Sequence, residues 1–544
     1  MNEIIGYHVN SKGIIRSDTN AQFQKPFLDY LLEKEAIKLF FDLDYSVAKL
    51  IRLIGISKEE AAELSRNNEL RLGNYNIKYI PNKFFSIKKY NNYNSQFACI
   101  SDAQQYLQET IEYDADNEWA CALSYAQKAA SIGEKVYGQL GYIGLRPTNL
   151  ISPVKAYENE VLKFMNLPND DDIEEKEAGL YAYNCCTGNW QEAFALGHFE
   201  NVYQYDINKA YPYQLSELID FRAGKCEKVS SEDALVDEDL VYGYYKCNIN
   251  IKTPYGFSPI FYSNSKTGEH SINYAPDGKQ TEIFLNKTKV ECIRNSRLGN
   301  VEIIDGWEFS IPQNKRTFPL KNAIETITRH TIYNSEFAEI GKRIMSGIYG
   351  KLGETHNGEL GDRFNPIWTA EVQNNNDVEV FRFCVENNIK PLYIVVDGVI
   401  AKEKVDCHEE ENRVLGSWRR SGSPVNCLIF GTGAVAIEGK KSFGEFSLDY
   451  KSLLETMQAN PETESIELNK KSFVGLASAL NSRGDNWANL GKTTDYKRTV
   501  YIGGEGKRLY KEQPKTAKDM MEKQYYSEPW DASLLKTSNM LESR

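Results

Sequence analysis

The sequence predicts a multidomain protein of mixed α/β and α+β class, and three observations support this prediction. The chain has 544 residues, which is too long for one compact hydrophobic core, so two to four domains are expected. Hydrophobic residues make up 41% of the chain and aromatic residues 12%, which is typical of a folded globular protein. Strand-like apolar runs also alternate with segments of helical periodicity along the chain.

The net charge is −12, which argues against non-specific binding of polyanions over the whole surface but is compatible with a local basic channel. The ten cysteines and six histidines form no Cys-x-x-Cys pair and no zinc-like spacing, so reduced thiols are expected. No segment has the pattern of a signal peptide or the length of a membrane-spanning run. We therefore expect a soluble cytoplasmic protein without membrane partners, located in the host cytoplasm if its source is viral.

The N-terminal region, residues 1–168, has the pattern of an α/β domain. A strand over 35–41 leads into a helix, and alternating segments over 75–81 and 83–88 indicate a hairpin. Two further helices are predicted near 102–112 and 115–135. The acidic run that follows predicts a solvated linker over 169–180.

From residue 181 onward the pattern is mixed. A hairpin of two helices is predicted over 318–352, and short helices and turns follow from about 445. No internal repeat stands out. The predicted strands of this region lie near 201–206, 241–251, 300–308, 392–401 and 426–437.

Two aspartates next to apolar strand-like runs are the first candidate site residues. Asp206 follows Val202-Tyr-Gln-Tyr, and Asp397 follows Leu392-Tyr-Ile-Val-Val. A carboxylate beside such a run is costly to bury unless it is paired or binds a metal. Two such strands side by side would form a two-carboxylate Mg²⁺ site, to which the carbonyl group of Ile207 can add a ligand. Either aspartate taken alone is more simply interpreted as an ordinary residue at the end of a strand.

The segments between the two aspartates carry candidate nucleotide ligands. Tyr211 precedes Pro212 where a strand turns into a helix, so its ring can lie under a sugar; a core tyrosine is the alternative. Lys342 and Tyr349 are seven residues apart on one helical face, where the lysine can bind phosphates. Gly350 leaves the Tyr349 ring open to a base pair, although an amphipathic surface helix has the same spacing. The ordered set suggests nucleotidyl transfer.

A basic segment over 497–523 is the candidate nucleic-acid surface. It holds eight basic against four acidic side chains in an acidic protein, and tyrosines accompany them, which fits a duplex-gripping surface. A mixed-charge solvent face is the alternative. The proposed contacts are Lys497, Arg498, Lys507 and Arg508. In contrast, Gly431-Thr-Gly433-Ala-Val-Ala436 matches a dinucleotide-binding fingerprint only formally, because more strand and not a helix is predicted after it.

Together these segments resemble the family B DNA polymerases, especially the short viral, plasmid and protein-primed branch. Asp206-Ile-Asn-Lys-Ala-Tyr211-Pro212 is similar to the first palm motif, Asp-x-x-x-Leu-Tyr-Pro. Lys342 to Gly350 is similar to the fingers motif, Lys-x-x-x-Asn-Ser-x-Tyr-Gly. Leu392 to Gly398 is similar to the second palm motif, Tyr-x-Asp-Thr-Asp-Ser. Gly188, in Cys186-Thr-Gly188-Asn-Trp, loosely matches a linker motif that contacts template.

The resemblance implies an RNase H-like N-terminal domain followed by a right-hand polymerase. Its palm would contain an RRM-like antiparallel sheet, in two parts over 181–315 (with an inserted subdomain) and 353–440. The fingers helices would span 316–352 and the thumb 441–544. The implied activity is DNA-templated addition of deoxynucleotides to a 3′-hydroxyl, in viral or mobile-element replication.

The resemblance also implies roles for individual residues. Asp206 and Asp397 would be catalytic and, with Ile207, would bind Mg²⁺, for which Mn²⁺ can substitute. The incoming deoxynucleoside triphosphate would contact Tyr211, Lys342, Tyr349 and Gly350. Primer-template DNA would contact Gly188, Lys351 and Lys440 in addition to the basic segment. A terminal protein or other replication factors are further candidate partners.

Departures from the family pattern leave alternatives open. Val395 stands where the first aspartate of Asp-Thr-Asp is expected, so the site has two carboxylates where relatives carry a third. In the N-terminal domain, Ser46, which follows Asp42 and Asp44, stands where the family carries a carboxylate. Asn117, which follows Asp116, likewise stands at a position that is acidic in the family. We predict that this domain is inactive and that proofreading is lost. A non-catalytic nucleic-acid-binding protein on a polymerase scaffold, or a primase-like or untemplated nucleotidyltransferase, are the alternative functions.

Overall fold

The structure is a computed structural model, and it describes most of the chain. The described residues are 4–10, 13–18, 28–32, 36–40, 43–80, 84–89, 93–99, 118–147, 153–262, 275–356, 359–407, 414–440, 449–481 and 486–535. Asp42, Asp116 and Asn117 and the predicted helix at 102–112 lie outside them.

The chain divides into two compact units. The first unit comprises residues 1–166, 327–347 and 469–498, and the second comprises residues 167–326, 348–468 and 499–544. Both units are discontinuous in sequence. The predicted helical hairpin and the C-terminal hundred or so residues therefore contribute to both.

The first unit contains a seven-stranded mixed sheet in the order β2-β1-β3-β7-β6-β5-β4, in which β1, β3 and β7 run parallel. Its strands are β1 (Ile4–Asn10), β2 (Gly13–Arg16), β3 (Ile37–Phe40), β4 (Glu69–Leu72), β5 (Tyr75–Ile80), β6 (Phe84–Lys89) and β7 (Tyr93–Cys99). Its helices are α1 (Leu43–Leu53), α2 (Lys58–Asn67), α3 (Glu118–Tyr142) and α4 (Pro153–Glu160).

Local sequence explains why these elements form. Helix α2 begins at a capping box. The Ser57 side chain accepts a hydrogen bond from the Glu60 backbone N–H, and the Glu60 side chain accepts one from the Ser57 backbone N–H. Strand β1 contacts helix α3 so closely that a Cβ at Gly6 would lie 1.8 Å from the carbonyl oxygen of Ala126. Only glycine allows this approach.

The second unit is built on two antiparallel sheets. One has nine strands, with the path β20-β19-β9-β17-β16-β8; β18 and β24 pair with β9 off this path, and β23 pairs with β24. The other has four, in the order β10-β13-β11-β12. The strands of these two sheets are β8 (Gln191–Ala193), β9 (Ala195–Ile207), β10 (Lys225–Ser230), β11 (Leu240–Ile251), β12 (Gly278–Asn286), β13 (Gly299–Ser310), β16 (Tyr393–Val395), β17 (Gly398–Ala401), β18 (Trp418–Arg420), β19 (Val425–Gly431), β20 (Ala434–Ile437), β23 (Leu509–Tyr510) and β24 (Gln524–Glu528). Strands β14 (Thr355–His356) and β15 (Glu359–Leu360) pair with each other in a separate two-stranded sheet.

The helices after α4 include the predicted hairpin, whose arms are α8 and α9. They are α5 (Lys176–Asn184), α6 (Ala210–Ser216), α7 (Lys287–Asn295), α8 (Lys321–Tyr333), α9 (Ser335–Leu352), α10 (Pro366–Glu386), α11 (Tyr450–Ala459), α12 (Leu476–Asn481), α13 (Ala517–Glu522) and α14 (Ala532–Leu535). Strands β21 (Ser465–Phe473) and β22 (Thr493–Tyr501) pair with each other. Short 3₁₀ helices lie at Leu28–Leu31, Leu162–Phe164, Asp170–Asp172, Phe221–Ala223, Gln313–Lys315 and Trp487–Asn489.

Several sequence expectations can be compared with these elements. Each of the predicted strands of the second region has a counterpart, and the formal dinucleotide fingerprint is indeed a strand, a turn and another strand (β19 and β20). The acidic run, predicted to be a solvated linker, contains regular structure. Asn169 caps a 3₁₀ turn over Asp170–Asp172, and α5 already begins at Lys176. Among the described residues, no helix has the length and apolarity needed to cross a bilayer.

Candidate functional site

Asp206 and Asp397 lie on neighbouring strands of the nine-stranded sheet. Strands β9 and β17 are antiparallel, and Asp206 is paired with Gly398, the residue after Asp397. The Ile207 N–H donates to the Asp397 carbonyl oxygen over 3.3 Å. The two strands that the sequence singled out are therefore side by side, although 191 positions apart in the chain.

The turn that carries Asp397 is held from both sides. Val395 pairs with Gly398, so Val396 and Asp397 form a two-residue hairpin loop. Val396 has φ 56°, an unfavourable conformation for a β-branched residue. Its N–H donates to the Trp190 carbonyl oxygen over 2.7 Å, and its carbonyl oxygen accepts from Asn376 Nδ2 over 3.0 Å. These bonds fix the direction in which the chain leaves the loop.

Arg419 binds both oxygens of the Asp206 carboxylate. On the edge strand β18, Arg419 is paired with Asp206, and its Nε and Nη2 donate to Oδ1 and Oδ2 over 2.8 and 2.6 Å. This bidentate geometry is the strong form of an arginine–carboxylate pair. Hydrogen bonding to Asp206 raises the pKa of the Arg419 guanidinium, against the effect of burial and with help from the charges of Asp206 and Asp397.

Two neighbours shape the surroundings of this pair. The Trp418 ring stacks on Phe383 with centroids 3.7 Å apart, which anchors strand β18. Lys440 Nζ donates to Gln204 Oε1 over 2.5 Å. Burial lowers the pKa of the Lys440 ammonium; the Asp206 charge opposes this effect and the Arg419 charge adds to it. The sequence predicted Lys440 only as a DNA contact, and its electrostatic coupling to Asp206 and Arg419 was not anticipated.

Tyr211 and Tyr349, both predicted nucleotide contacts, lie against each other. Their ring centroids are 4.5 Å apart at 56°. The Tyr211 hydroxyl donates to Asn189 Oδ1, and the Tyr349 hydroxyl accepts from Gln373 Nε2 over 2.7 Å. Burial raises the pKa of Tyr211, with further effects from Tyr349, Asp377 and Asp397. Both phenols are therefore neutral and fixed in place.

The other predicted contacts are divided between the two units. Lys342 is exposed on α9 in the first unit. Gly188 has φ 76° and donates its N–H to Gln373 Oε1 over 3.3 Å, which links it to Tyr349. Gly350 has open space where a Cβ would lie. Lys351 forms an ion pair with Glu354 at 2.8 Å.

The basic segment is divided between the two units. Lys497 and Arg498 belong to the first unit, whereas Lys507 and Arg508 belong to the second. Arg508 is 1% exposed and donates to Glu192 Oε1 over 2.8 Å and to the Gly256 carbonyl oxygen over 2.6 Å. A buried guanidinium cannot meet a phosphate, so the position of Arg508 contradicts the predicted DNA contact. Lys507 donates to the Gln191 carbonyl oxygen over 2.9 Å.

A second buried ion pair was not visible in the sequence. Lys289 on α7 and Asp377 on α10 are 3.0 Å apart with side chains 2% and 3% exposed. Burial raises the pKa of Asp377 to about 6, against the opposing effect of Lys289. On the same helix, burial raises the pKa of Glu371 to about 7 although Asn286 donates a hydrogen bond to it. No residue close to Asp377 or Glu371 in the sequence would have predicted Lys289 or Asn286 as a partner.

Few carboxylate groups of the described residues lie at the site. Among the described residues, no group of three or more His, Cys, Asp or Glu side chains is placed to hold a metal ion. Asp206 and Asp397 are two carboxylates and so do not by themselves make such a group.

Comparison with solved protein structures identifies the fold of the chain. No protein-family model and no curated protein sequence matches the chain. Phi29 DNA polymerase complexed with primer-template DNA and incoming nucleotide substrates matches with a TM-score of 0.61 and 14% identity, covering 92% of this chain and 98% of that one. The same polymerase in a binary complex with primer-template DNA gives 0.58 and 13%, covering 92% and 100%. Its complex with single-stranded DNA gives 0.51 and 13%, covering 81% and 89%. The chain therefore has the fold of phi29 DNA polymerase, which confirms, at the level of the fold, the resemblance that the three motifs indicated.

Proposed function

We propose that the protein is a DNA-templated DNA polymerase that adds deoxynucleotides to a 3′-hydroxyl. The observation that carries the proposal is the pairing of the Asp206 and Asp397 strands, in the fold of a polymerase that has been seen with primer-template DNA and incoming nucleotides. The aromatic pair of Tyr211 and Tyr349 in the same unit supports it.

The residues present fit a divalent cation. Asp206 already holds a cationic group with both of its oxygens, and Asp397 lies on the adjoining loop. Carboxylate oxygens of this kind are the hard ligands that Mg²⁺ prefers. Asp206, Asp397 and the carbonyl group of Ile207 would hold the metal, with Mn²⁺ as a substitute. Bound divalent ions would activate the 3′-hydroxyl for attack on the α-phosphate and neutralise charge on the triphosphate and on the pyrophosphate that leaves.

The protein's own side chains would position the nucleotide. The Tyr211 ring, fixed by Asn189 and packed against Tyr349, would lie under the sugar and exclude a 2′-hydroxyl. Tyr349 and Gly350 would present a flat surface to the nascent base pair. Lys342 would bind the triphosphate as a point charge; this assignment rests on the sequence motif alone.

The predicted subdomains become proposals of the same kind. The palm would comprise 181–315, with its inserted subdomain, and 353–440; the fingers would be 316–352 and the thumb 441–544. Strand β24 of the proposed thumb pairs with β9, so part of that segment extends the sheet carrying Asp206. The template strand would contact Gly188, and the duplex would contact Lys351, Lys440, Lys497, Arg498 and Lys507. A terminal protein is one candidate partner.

The N-terminal domain, residues 1–168, is proposed to lack proofreading activity. The support is the sequence pattern around Asp44, where Ser46 replaces an expected carboxylate. In the structure, Asp44 accepts a hydrogen bond from the Tyr79 hydroxyl over 2.5 Å. Incubation of a labelled primer with Mg²⁺ and no nucleotides should leave it intact. Degradation abolished by Asp44→Asn but not by Asp397→Asn would contradict the proposal.

A second candidate function is non-catalytic DNA binding on the same scaffold. Arg419 favours it, because a guanidinium on both oxygens of Asp206 neutralises the carboxylate without any metal. The two candidate functions differ in whether the protein joins nucleotides to a primer.

Primer extension by the wild-type protein separates the candidates. A primed template, an unprimed template and a primer without template are each incubated with Mg²⁺ and deoxynucleotides. Extension of the primed template alone is expected. Products without template or without primer would favour an untemplated or primase-like transferase. DNA binding without any product would favour the non-catalytic function.

A further inference from the structure

We propose that Arg419 binds the triphosphate of the incoming nucleotide once Asp206 has bound a divalent ion. The inference rests on the proposed function, which supplies both the nucleotide and the ion. In the structure, Nε and Nη2 of Arg419 donate to Oδ1 and Oδ2 of Asp206 over 2.8 and 2.6 Å. Arg419 would thus have two partners in turn, first a carboxylate and then a phosphate group.

The guanidinium of Arg419 lies where a cation on Asp206 would bind. It engages both carboxylate oxygens, and a divalent ion needs the same oxygens as ligands. An ion there would also repel the guanidinium, because two positive charges at close range destabilise each other. The Arg419 and Asp206 side chains are 39% and 28% exposed, and ion pairs at such sites contribute little to stability. The pair can therefore open at small cost.

The backbone of Arg419 is anchored, so its guanidinium stays close to Asp206 after the pair opens. Arg419 is the register partner of Asp206 in the pairing of β18 with β9. The neighbouring Trp418 ring stacks on Phe383 with centroids 3.7 Å apart, and its Nε1 donates to Glu379 Oε1 over 3.2 Å. The side chain of Arg419 can then turn while its strand stays in place, and the guanidinium remains within one side-chain length of the carboxylate.

Sheet register places a second cation on the same face. Directly paired residues of neighbouring strands, and residues two positions apart on one strand, point to the same face of a sheet. Asp206, its partner Arg419 and Gln204 therefore share a face. Lys440 Nζ donates to Gln204 Oε1, and the charges of Asp206 and Arg419 both affect the pKa of Lys440. Two cationic side chains thus lie beside one carboxylate.

The chemistry of these groups matches a polyphosphate. A guanidinium offers a planar fork of N–H donors that fits two phosphate oxygens as well as two carboxylate oxygens. In phosphoryl transfer, a triphosphate is bridged by divalent ions that carboxylates hold, so phosphates bound at Asp206 would arrive within reach of the freed guanidinium. Arg419 and Lys440 would then neutralise negative charge of the triphosphate that the ions leave uncompensated.

Nucleotide binding without chemistry tests the proposal. The protein is bound to primer-template DNA whose primer ends in a dideoxynucleotide, and the next templated deoxynucleoside triphosphate is titrated by calorimetry at saturating Mg²⁺. Arg419→Gln should raise the Kd of the nucleotide about tenfold or more, as for the loss of a hydrogen bond from a charged group. The same substitution should tighten Mn²⁺ binding in the absence of nucleotide, so the two affinities change in opposite directions. A residue with only a structural role would not separate them.

Two further variants are matched controls. Arg419→Lys keeps the charge and loses the fork of donors, so its Kd for the nucleotide should lie between those of the wild type and Arg419→Gln. Arg420→Gln removes the neighbouring guanidinium, which lies over the Tyr203 ring, and should bind the nucleotide as the wild type does. The Kd of primer-template DNA, measured by fluorescence anisotropy, should be unchanged in Arg419→Gln, which distinguishes the triphosphate from phosphates of the DNA backbone.

An unchanged nucleotide Kd in Arg419→Gln overturns the proposal, as does a wild type that binds no nucleotide or a loss of affinity confined to DNA. Weaker binding of both the nucleotide and Mn²⁺ also overturns it, because Arg419 would then support the site as a whole. These measurements require no catalysis. A protein that shows the expected changes without extending primers refutes the polymerase and keeps the role of Arg419. One that extends primers with an unchanged nucleotide Kd in Arg419→Gln refutes that role alone.

Discussion

Two arginine–carboxylate pairs in the second unit have the same chemistry and opposite surroundings. Arg508 and Glu192 are both 1% exposed, whereas Arg419 and Asp206 are 39% and 28% exposed. A buried pair must stay intact because a lone charge in its place would be unsolvated. A partly exposed pair has water as an alternative partner and contributes little to stability. The comparison indicates that the Arg508–Glu192 pair is part of the scaffold, whereas Asp206 can release Arg419 and bind another cation in its place.

Breaking the buried pair should have the largest effect on stability. Arg508→Met leaves Glu192 buried, and among the described residues the Trp190 Nε1–H is then its remaining side-chain donor. The free energy of unfolding should fall by about 3–5 kcal/mol, measured by denaturant titration. Arg420→Met, on an intermediate site of strand β18, is the control. A loss below about 1 kcal/mol would show that Arg508 is not a scaffold residue.

Glu371 is a buried carboxyl group for which the structure describes no ion pair. It allows the comparison of buried and partly exposed charges to include the dependence of stability on pH. The pKa of Glu371 is raised from 4.5 to about 7 in the folded protein, so its contribution to stability is full below about pH 4.5 and is lost as the pH rises through about 7. Glu371→Gln should therefore stabilise the protein at pH 8 by roughly 2–3 kcal/mol and have little effect at pH 5. Thermal unfolding at both pH values measures this.

The exposed residue Glu386 on the same helix provides the control. Glu386→Gln should unfold at the wild-type temperature at both pH values. If Glu371→Gln destabilised the protein equally at pH 5 and pH 8, its hydrogen bonds, and not its charge, would be what the fold requires.

Breaking the exposed pair should change stability least and metal binding most. Arg419→Gln frees the Asp206 carboxylate, so Mn²⁺ should bind several-fold more tightly than to the wild type, while the free energy of unfolding changes by less than about 1 kcal/mol. Electron paramagnetic resonance of Mn²⁺ titrations measures the affinity, with Arg420→Gln as the control. Equal or weaker Mn²⁺ binding by Arg419→Gln would show that the guanidinium does not compete for Asp206.

The sequence predicted the strands that carry the two candidate aspartates because strands depend on local patterns. Apolar runs before Asp206 and Asp397 marked strands β9, β16 and β17, and the spacing from Lys342 to Tyr349 marked a helix. The partners of the site could not be predicted, because sheet register brings Arg419 to Asp206 across 213 positions. Arg508 was misjudged for the same reason: local charge counts carry no information about burial.

The most direct measurement of the central claim is primer extension by Asp397→Asn beside Asp406→Asn. Asp406 is 83% exposed and pairs with Lys404, so its variant should extend at the wild-type rate. Asp397→Asn should be slower by about 100-fold or more, because losing a metal ligand removes several kcal/mol of charge stabilisation. Extension by Asp397→Asn at the wild-type rate would contradict the account.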